Sequence, residues 1–275
     1  MKERPLILFT LASQLAVGLF VLAALSQVLS APAAGSPYPP LVLFAVTPLA
    51  LLGMLASFLH LSRPLNAWRA VANLRASWLS REILCAAVFA GLSGLYTLVY
   101  GFGWGPVALR SGLAWLAALA GLALVYSMGR VYMLRSLPPW RTWLTLASFY
   151  ATAFLLGILA LAPGLPWGES AWLRLAALFC LGVQVLAAAQ WAKTQSRPVR
   201  HLALKAAYQR PEALPPPLRR WLALRLGLGA AGVALFVLVS PSCSGPLTAL
   251  SMWLAFALAL AGEIIGRSLF YSALE

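Results

Sequence analysis

The stretch from Trp143 to Ala162, WLTLASFYATAFLLGILALA, indicates the fold class of this chain. Its twenty residues include no Asp, Glu, Lys, Arg or His. An α-helix of about 20 mainly apolar residues is long enough to cross the hydrocarbon core of a bilayer. The stretch therefore predicts a transmembrane helix.

The same pattern recurs along the rest of the sequence, with eight apolar runs in all. We predict an all-α integral membrane protein with eight transmembrane helices, arranged as two four-helix bundles. The helices together form a single membrane domain over residues 1–275. Their predicted bounds are 5–29, 41–60, 78–100, 107–126, 143–162, 171–191, 221–239 and 247–270.

The composition excludes several classes of protein. The chain is 62% hydrophobic and 9% charged, whereas a soluble domain has roughly 25% charged and 45–50% apolar residues. Because the apolar runs use most of the 275 residues, little sequence remains for an extramembrane catalytic domain, such as a dinucleotide-binding fold or a phosphate-binding loop domain.

The net charge of +14 is distributed unevenly. Uncharged or nearly uncharged connectors alternate with basic ones, and every Lys and Arg except Arg110 and Arg174 lies on one side of the predicted topology. By the positive-inside rule, this side, with both termini, is cytoplasmic. The excess charge thus reflects topology and predicts no nucleic-acid partner. A basic face that docks an acidic partner subunit would give the same bias, so this alternative stays open.

The cysteine and histidine content predicts that the chain holds no metal centre of its own. Cys85, Cys180 and Cys243 lie far apart without a CxxC pair, which argues against zinc and iron–sulfur sites. Two bilayer haems with bis-histidine ligation would need four histidines, and the chain has two.

Ionisable side chains inside a membrane are costly, so each is a candidate for function. Among the glutamates, Glu82 and Glu263 fall in or near predicted helices, and His60 is the one histidine in a predicted span. His60 closes the second helix and Glu82 opens the third, so we expect both at one depth, near the predicted cytoplasmic boundary. Such a pair can accept the two protons that oxidation of a quinol releases.

Structural roles for these residues remain open as alternatives. Ser77 or Ser80 is available to cap the third helix, and Glu82 would then be a first-turn carboxylate paired with Arg81 or another neighbour. His60 would be an interfacial histidine bonded to a backbone carbonyl.

The last predicted helix contains the segment Gly262-Glu263-Ile264-Ile265-Gly266-Arg267. Glu263 and Arg267 are four residues apart, which predicts an ion pair within the helix. Gly262 and Gly266 have the spacing of small residues at a close helix contact.

Arg130 and Tyr132 follow the fourth predicted helix, at the expected edge of the bilayer. Snorkelling of the Arg side chain and interfacial anchoring of the Tyr ring explain both residues without a function.

Four segments resemble the membrane anchor subunits of the dimethyl sulfoxide reductase type. Members of that family are eight-helix proteins that hold a molybdopterin catalytic subunit and an iron–sulfur subunit at the membrane and oxidise menaquinol. The matching segments are residues 4–10 with Gln14; residues 60–70 and 79–83; residues 130–132 with the following Pro-Trp; and residues 262–267 with Phe270-Tyr271.

The resemblance implies that His60 and Glu82 belong to a quinol site with menaquinol as bound substrate. It also implies an iron–sulfur electron-transfer subunit and a molybdopterin catalytic subunit as partners, in a bacterial or archaeal cytoplasmic membrane. This chain departs from the family at Ser62-Arg63, where a Gly-Ser pair is common. Second-tier candidates for quinol binding are Gln14, Arg63, Arg130, Tyr132, Glu263 and Arg267.

Two other functions stay open. One is a quinone-reactive anchor of the polysulfide or nitrite reductase type, and the other is a small-solute membrane transporter. The sequence shows no inverted repeat and no pair of Gly/Pro-broken helices, which are the usual signs of a transport site.

Overall fold

The described part of the chain is mainly α-helical. The computed structural model describes residues 4–29, 41–58, 73–133, 140–164, 171–195, 216–239 and 246–272. Its eight α-helices confirm the all-α fold class. They are α1 (Arg4–Leu29), α2 (Leu41–Phe58), α3 (Trp78–Gly101), α4 (Val107–Tyr132), α5 (Trp143–Leu161), α6 (Ala171–Gln195), α7 (Pro216–Val239) and α8 (Pro246–Ser272).

Seven of these helices, all except α2, are long and apolar enough to cross a membrane. The apolar stretch described for α2, Val42–Ser57, is shorter. The end predicted for this helix, His60, lies outside the described residues. The protein is therefore a multi-pass membrane protein, and the crossing by α2 stays a prediction.

Three helices extend at least one helical turn further than predicted. The predicted ends at Tyr126 and Trp191 were too early, since α4 reaches Tyr132 and α6 reaches Gln195. Helix α7 begins at Pro216 rather than Trp221. The prediction stopped where the apolar residues stopped, but a helix satisfies its own backbone hydrogen bonds and can continue past the hydrocarbon core. Pro at the first helical position suits such a start because it lacks an N–H group.

The helices pack as two groups of four, in agreement with the predicted pair of bundles. Helices α1, α2, α3 and α4 contact one another in a ring, and α5, α6, α7 and α8 do the same. The groups meet mainly where α1 packs against α5, with further contacts of α4 with α5 and of α1 with α8. Helix α1 therefore lies at the centre of the molecule, and its side chains from Ala16 to Ala24 are mostly buried.

Glycines bring helices together at two places. At the junction of the bundles, a Cβ atom on Gly157 of α5 would lie 2.6 Å from the carbonyl carbon of Gly18 in α1. Between α7 and α8, a Cβ atom on Gly262 would lie 2.9 Å from the carbonyl oxygen of Arg225, and one on Gly266 would overlap the Arg225 guanidinium. The predicted close contact at Gly262 and Gly266 is confirmed, as small residues allow backbones in a membrane to approach.

Candidate functional site

The start of α3 is fixed by a side-chain cap. Ser77 has extended backbone angles (φ −109°, ψ 122°), and its hydroxyl oxygen accepts a hydrogen bond from the backbone N–H of Ser80 at 3.3 Å. Arg81 donates to the carbonyl oxygens of Leu74, at 2.8 Å, and Arg75, at 2.9 Å. Of the two predicted caps, Ser77 is the one that the structure uses.

Glu82 is the fifth residue of α3 and only 3% exposed. It is therefore not a first-turn surface carboxylate paired with Arg81, whose hydrogen bonds go to backbone carbonyls. None of the hydrogen bonds and ion pairs between described residues involves the Glu82 carboxylate. Cys85, Tyr132 and Tyr271 lie within range of its electrostatic influence. Glu82 is thus a buried acid near the start of α3, within electrostatic range of groups at the ends of α4 and α8.

His60 and Arg63 lie outside the described residues. Both belong to the connector between α2, which ends at Phe58, and α3, which begins at Trp78. The placement of His60 beside Glu82 stays a prediction.

Tyr132 and Tyr271 link the two bundles through their hydroxyl groups. Tyr132 ends α4 and is 8% exposed, so it is not a surface anchor in a connector. The Tyr271 hydroxyl lies 3.1 Å from that of Tyr132 and 3.5 Å from that of Thr10. It has one hydrogen and donates to one of them at a time. The three hydroxyl groups connect α4, α8 and α1 at the end of the helices where α3, with Glu82, begins.

A second group of buried polar side chains adjoins these hydroxyls. Arg267 of α8, which is 4% exposed, donates to Gln14 of α1 at 3.0 Å and to Thr152 of α5 at 3.4 Å. Its guanidinium carbon lies 3.7 Å from the centre of the Phe149 ring. Thr152 also donates to the Glu263 carboxylate at 3.0 Å. The structure thus brings Gln14 into one network with Glu263 and Arg267, through Thr152.

The predicted ion pair between Glu263 and Arg267 was wrong. In the described part of the chain Glu263 pairs with Arg225 of α7, at 3.8 Å, and no pair with Arg267 is formed. Arg225 also donates to the Gln184 amide oxygen at 2.8 Å. Glu263 pairs with Arg225 because α7 packs closely on α8 at Gly266, which places the Arg225 guanidinium beside α8.

Sequence reasoning missed Arg225, Gln184 and Thr152 as members of this network. Gln184 donates to the Thr152 hydroxyl at 2.7 Å, so it joins α6 to α5. The signal was present, because Arg225 and Gln184 are polar side chains in apolar spans, where they are costly unless paired.

Arg130 lies apart from the network. Its guanidinium carbon is 4.8 Å from the centre of the Trp78 ring and 5.9 Å from that of Tyr126. Arg81 lies over Trp78 as well, at 4.1 Å. Two cations therefore stack on aromatic rings at the start of α3, an arrangement typical of the membrane interface.

A cleft opens in the second bundle, between α5, α6, α7 and α8. Its walls include both Gln184 and Arg267 from the buried network. The expected quinol site, by contrast, lies among the first four helices near Glu82. Further residues that line the cleft are Trp140, Thr145, Ser148, Trp191, Leu222, Arg225 and Phe270.

Comparison with known proteins decides the family. A family model described as DMSO reductase anchor subunit (DmsC) matches residues 1–273. The protein belongs to this family. Dimethyl sulfoxide reductase anchors serve a complex with catalytic and electron-transfer subunits, so the polar network described above lies in the membrane subunit of such a complex.

Individual DMSO reductase proteins are similar over much or all of their length. The anaerobic dimethyl sulfoxide reductase protein YnfH from Escherichia coli is 30% identical over 98% of this chain and 94% of its own. A relative from the anaerobic dimethyl sulfoxide reductase of Haemophilus influenzae is 32% identical over 67% of each chain. A sulfite dehydrogenase subunit of Allochromatium vinosum is 36% identical over 35% of this chain and 33% of its own.

Proposed function

We propose that this anchor subunit binds menaquinol, oxidises it, and passes the electrons to an iron–sulfur subunit docked on the membrane domain. That subunit delivers them to a molybdopterin catalytic subunit of a terminal reductase of the dimethyl sulfoxide reductase type. The observation that carries the proposal is the burial of Glu82, which is 3% exposed near the start of α3. Burial of an ionisable side chain in a membrane protein is costly, so such a residue is a functional candidate by default.

The chemistry needs two proton acceptors. Oxidation of the hydroquinone to the quinone releases two protons and two electrons, and the electrons leave one at a time to the nearest cluster of the docked subunit. We assign one proton to the imidazole of His60 and the other to the carboxylate of Glu82. In this proposal the membrane subunit itself holds no haem, iron–sulfur cluster or metal.

The hydroxyl groups of Tyr132, Tyr271 and Thr10 supply the polar wall of the site. Tyr132 and Tyr271 lie at the ends of α4 and α8, within electrostatic range of Glu82, and the Tyr271 hydroxyl is 3.5 Å from that of Thr10 in α1. Because each hydroxyl both donates and accepts, the group can adjust its hydrogen bonds when Glu82 gains or loses a proton.

We place the protein in the cytoplasmic membrane of a bacterium or archaeon, with both termini in the cytoplasm. The support is the distribution of Lys and Arg, which leaves Arg110 and Arg174 on the outer side. On this topology the quinol protons leave on the cytoplasmic side.

A second candidate is the reverse electron flow, from the docked subunit into a quinone. The similarity to a sulfite dehydrogenase subunit favours it, because a dehydrogenase withdraws electrons from its substrate. That similarity extends over 35% of this chain, whereas the similarity to the dimethyl sulfoxide reductase relative YnfH extends over 98%. We therefore favour quinol oxidation.

A binding experiment tests the proposal. The complete complex, purified in detergent, is titrated with a fluorescent quinol-analogue inhibitor, and quenching reports binding to the wild type, His60→Ala and Glu82→Gln. The matched control is Ser93→Ala, which removes another buried polar group of α3, deeper in the helix. Saturable binding by the wild type and the control, lost in both site variants, supports the proposal. Unchanged binding in Glu82→Gln rejects the assigned site.

A further inference from the structure

The cleft between α5, α6, α7 and α8 has features of a ligand site separate from the one near Glu82. It lies at the end of the bundle where α6 ends and α7 begins. Four of its lining residues carry N–H donors and are called the cleft donors: Trp140, Trp191, Arg225 and Arg267.

Three N–H groups of the cleft donors have no acceptor among the residues that the structure describes. The Nε of Arg267 and the indole Nε1 atoms of Trp140 and Trp191 are buried without a hydrogen-bond partner in the described structure. Arg267 is 4% exposed and Trp140 is 2% exposed, so bulk water does not accept hydrogen bonds from these buried N–H groups. Buried N–H groups are normally hydrogen-bonded. Three unpaired N–H donors around one cleft therefore indicate a ligand with several acceptor atoms.

The charge around the cleft is positive. Arg225 and Arg267 contribute two cations, and Glu263, paired with Arg225, contributes one carboxylate. The Arg225 side chain is 15% exposed and lines the cleft, so it remains within reach of a further anion. A ligand that also balances this charge must be negative. A neutral quinone has two separate carbonyl oxygens and would leave the excess charge uncompensated.

The depth of the cleft matches the headgroup region of a bilayer. Trp140 precedes the start of α5, Trp191 lies in the last turns of α6, and Arg267 lies near the end of α8. Trp221, 52% exposed at the start of α7, marks the same level as an interfacial residue. Basic pockets between transmembrane helices at this level bind the head groups of anionic lipids.

We propose that this cleft binds a phosphate oxyanion, carried by the phosphodiester group of an anionic phospholipid. The guanidinium groups of Arg225 and Arg267 face the phosphate oxygens, and the indole N–H groups of Trp140 and Trp191 donate to them. The bound lipid headgroup then contacts residues of all four helices and stabilises the packing of α7 and α8 on α5 and α6.

The test measures thermal stabilisation of the delipidated complete complex by added ligand. The probes are phosphatidylglycerol, zwitterionic phosphatidylcholine and inorganic phosphate. The variants are Trp191→Phe and Trp140→Phe, which keep an aromatic ring and lose one donor. Trp191 is the less buried of the two, so Trp191→Phe keeps the test valid if Trp140→Phe fails to fold. The control is Trp253→Phe, a 53% exposed Trp of α8 outside the cleft.

Phosphatidylglycerol should raise the unfolding midpoint of the wild type and of the control, with phosphatidylcholine much less effective. Trp191→Phe should bind phosphatidylglycerol about tenfold more weakly, the loss of one hydrogen bond to a charged group. Equal stabilisation of Trp191→Phe and the wild type would overturn the proposal. Stabilisation by inorganic phosphate without stabilisation by phosphatidylglycerol would overturn the assignment to a lipid. Displacement of phosphatidylglycerol by a quinol analogue, weakened by the same Trp variants, would overturn the proposal and assign the cleft to quinol.

Discussion

Gly18 of α1 and Gly157 of α5 lie with their backbones in contact where the two bundles meet. One turn before Gly18, Gln14 accepts a hydrogen bond from Arg267 of α8, and Thr152 of α5 bonds the same guanidinium. The close approach of α1 and α5 thus brings two helices within hydrogen-bond distance of one buried cation on a third helix, α8.

Gly157→Val should destabilise the protein by about 1–3 kcal/mol or more, because the added atoms have no room and the bundles must separate. Thermal unfolding of the purified complex measures this effect. The control is Gly91→Val on α3, where an added Cβ atom meets no other atom within 4 Å. Equal midpoints for the two variants would show that the glycine contact does not hold the bundles together.

The carboxylate of Glu263 should be coupled in energy to Arg225 more strongly than to Arg267. A double-mutant cycle with Glu263→Gln and Arg225→Gln, followed by the free energy of unfolding, should give a coupling of about 0.5–3 kcal/mol. The parallel cycle with Arg267→Gln should give less, since no ion pair joins these two residues. A larger coupling free energy between Glu263 and Arg267 than between Glu263 and Arg225 would support the ion pair within α8 that the sequence predicted.

Ser77→Ala should lower the stability of the start of α3 by about 1 kcal/mol, since it leaves the N–H of Ser80 without the cap. Ser77→Asp should retain most of the stability because its carboxylate also accepts at this position. Hydrogen exchange of the first turns of α3 reports the change. Equal protection in Ser77→Ala and the wild type would contradict the capping role.

Single-cysteine labelling tests the topology. In a background without the native cysteines, Trp104→Cys lies in the exposed turn between α3 and α4, and Arg141→Cys lies just before α5. A membrane-impermeant maleimide added to intact cells should label the first and reach the second only after permeabilisation. The reverse pattern would place the termini outside.

The sequence predicted the helices well because a membrane demands about 20 apolar residues per span and the protein has little else. It failed at the ends of helices, as at Tyr132, because polar residues past the hydrocarbon core do not stop a helix. It also chose the wrong partner for Glu263. Local spacing suggested Arg267, but the packing of α7 on α8, which sets the position of Arg225, is not visible in one sequence.

In the proposed mechanism, Glu82 takes part in the oxidation of menaquinol by accepting one of its two protons. The most direct test follows reduction of the clusters in the docked subunit of the membrane-bound complex, by electron paramagnetic resonance after mixing with a menaquinol analogue. Glu82→Gln should slow this reduction by about 10²-fold or more, while reduction by dithionite stays complete. A variant reduced by the quinol as fast as the wild type would contradict the account.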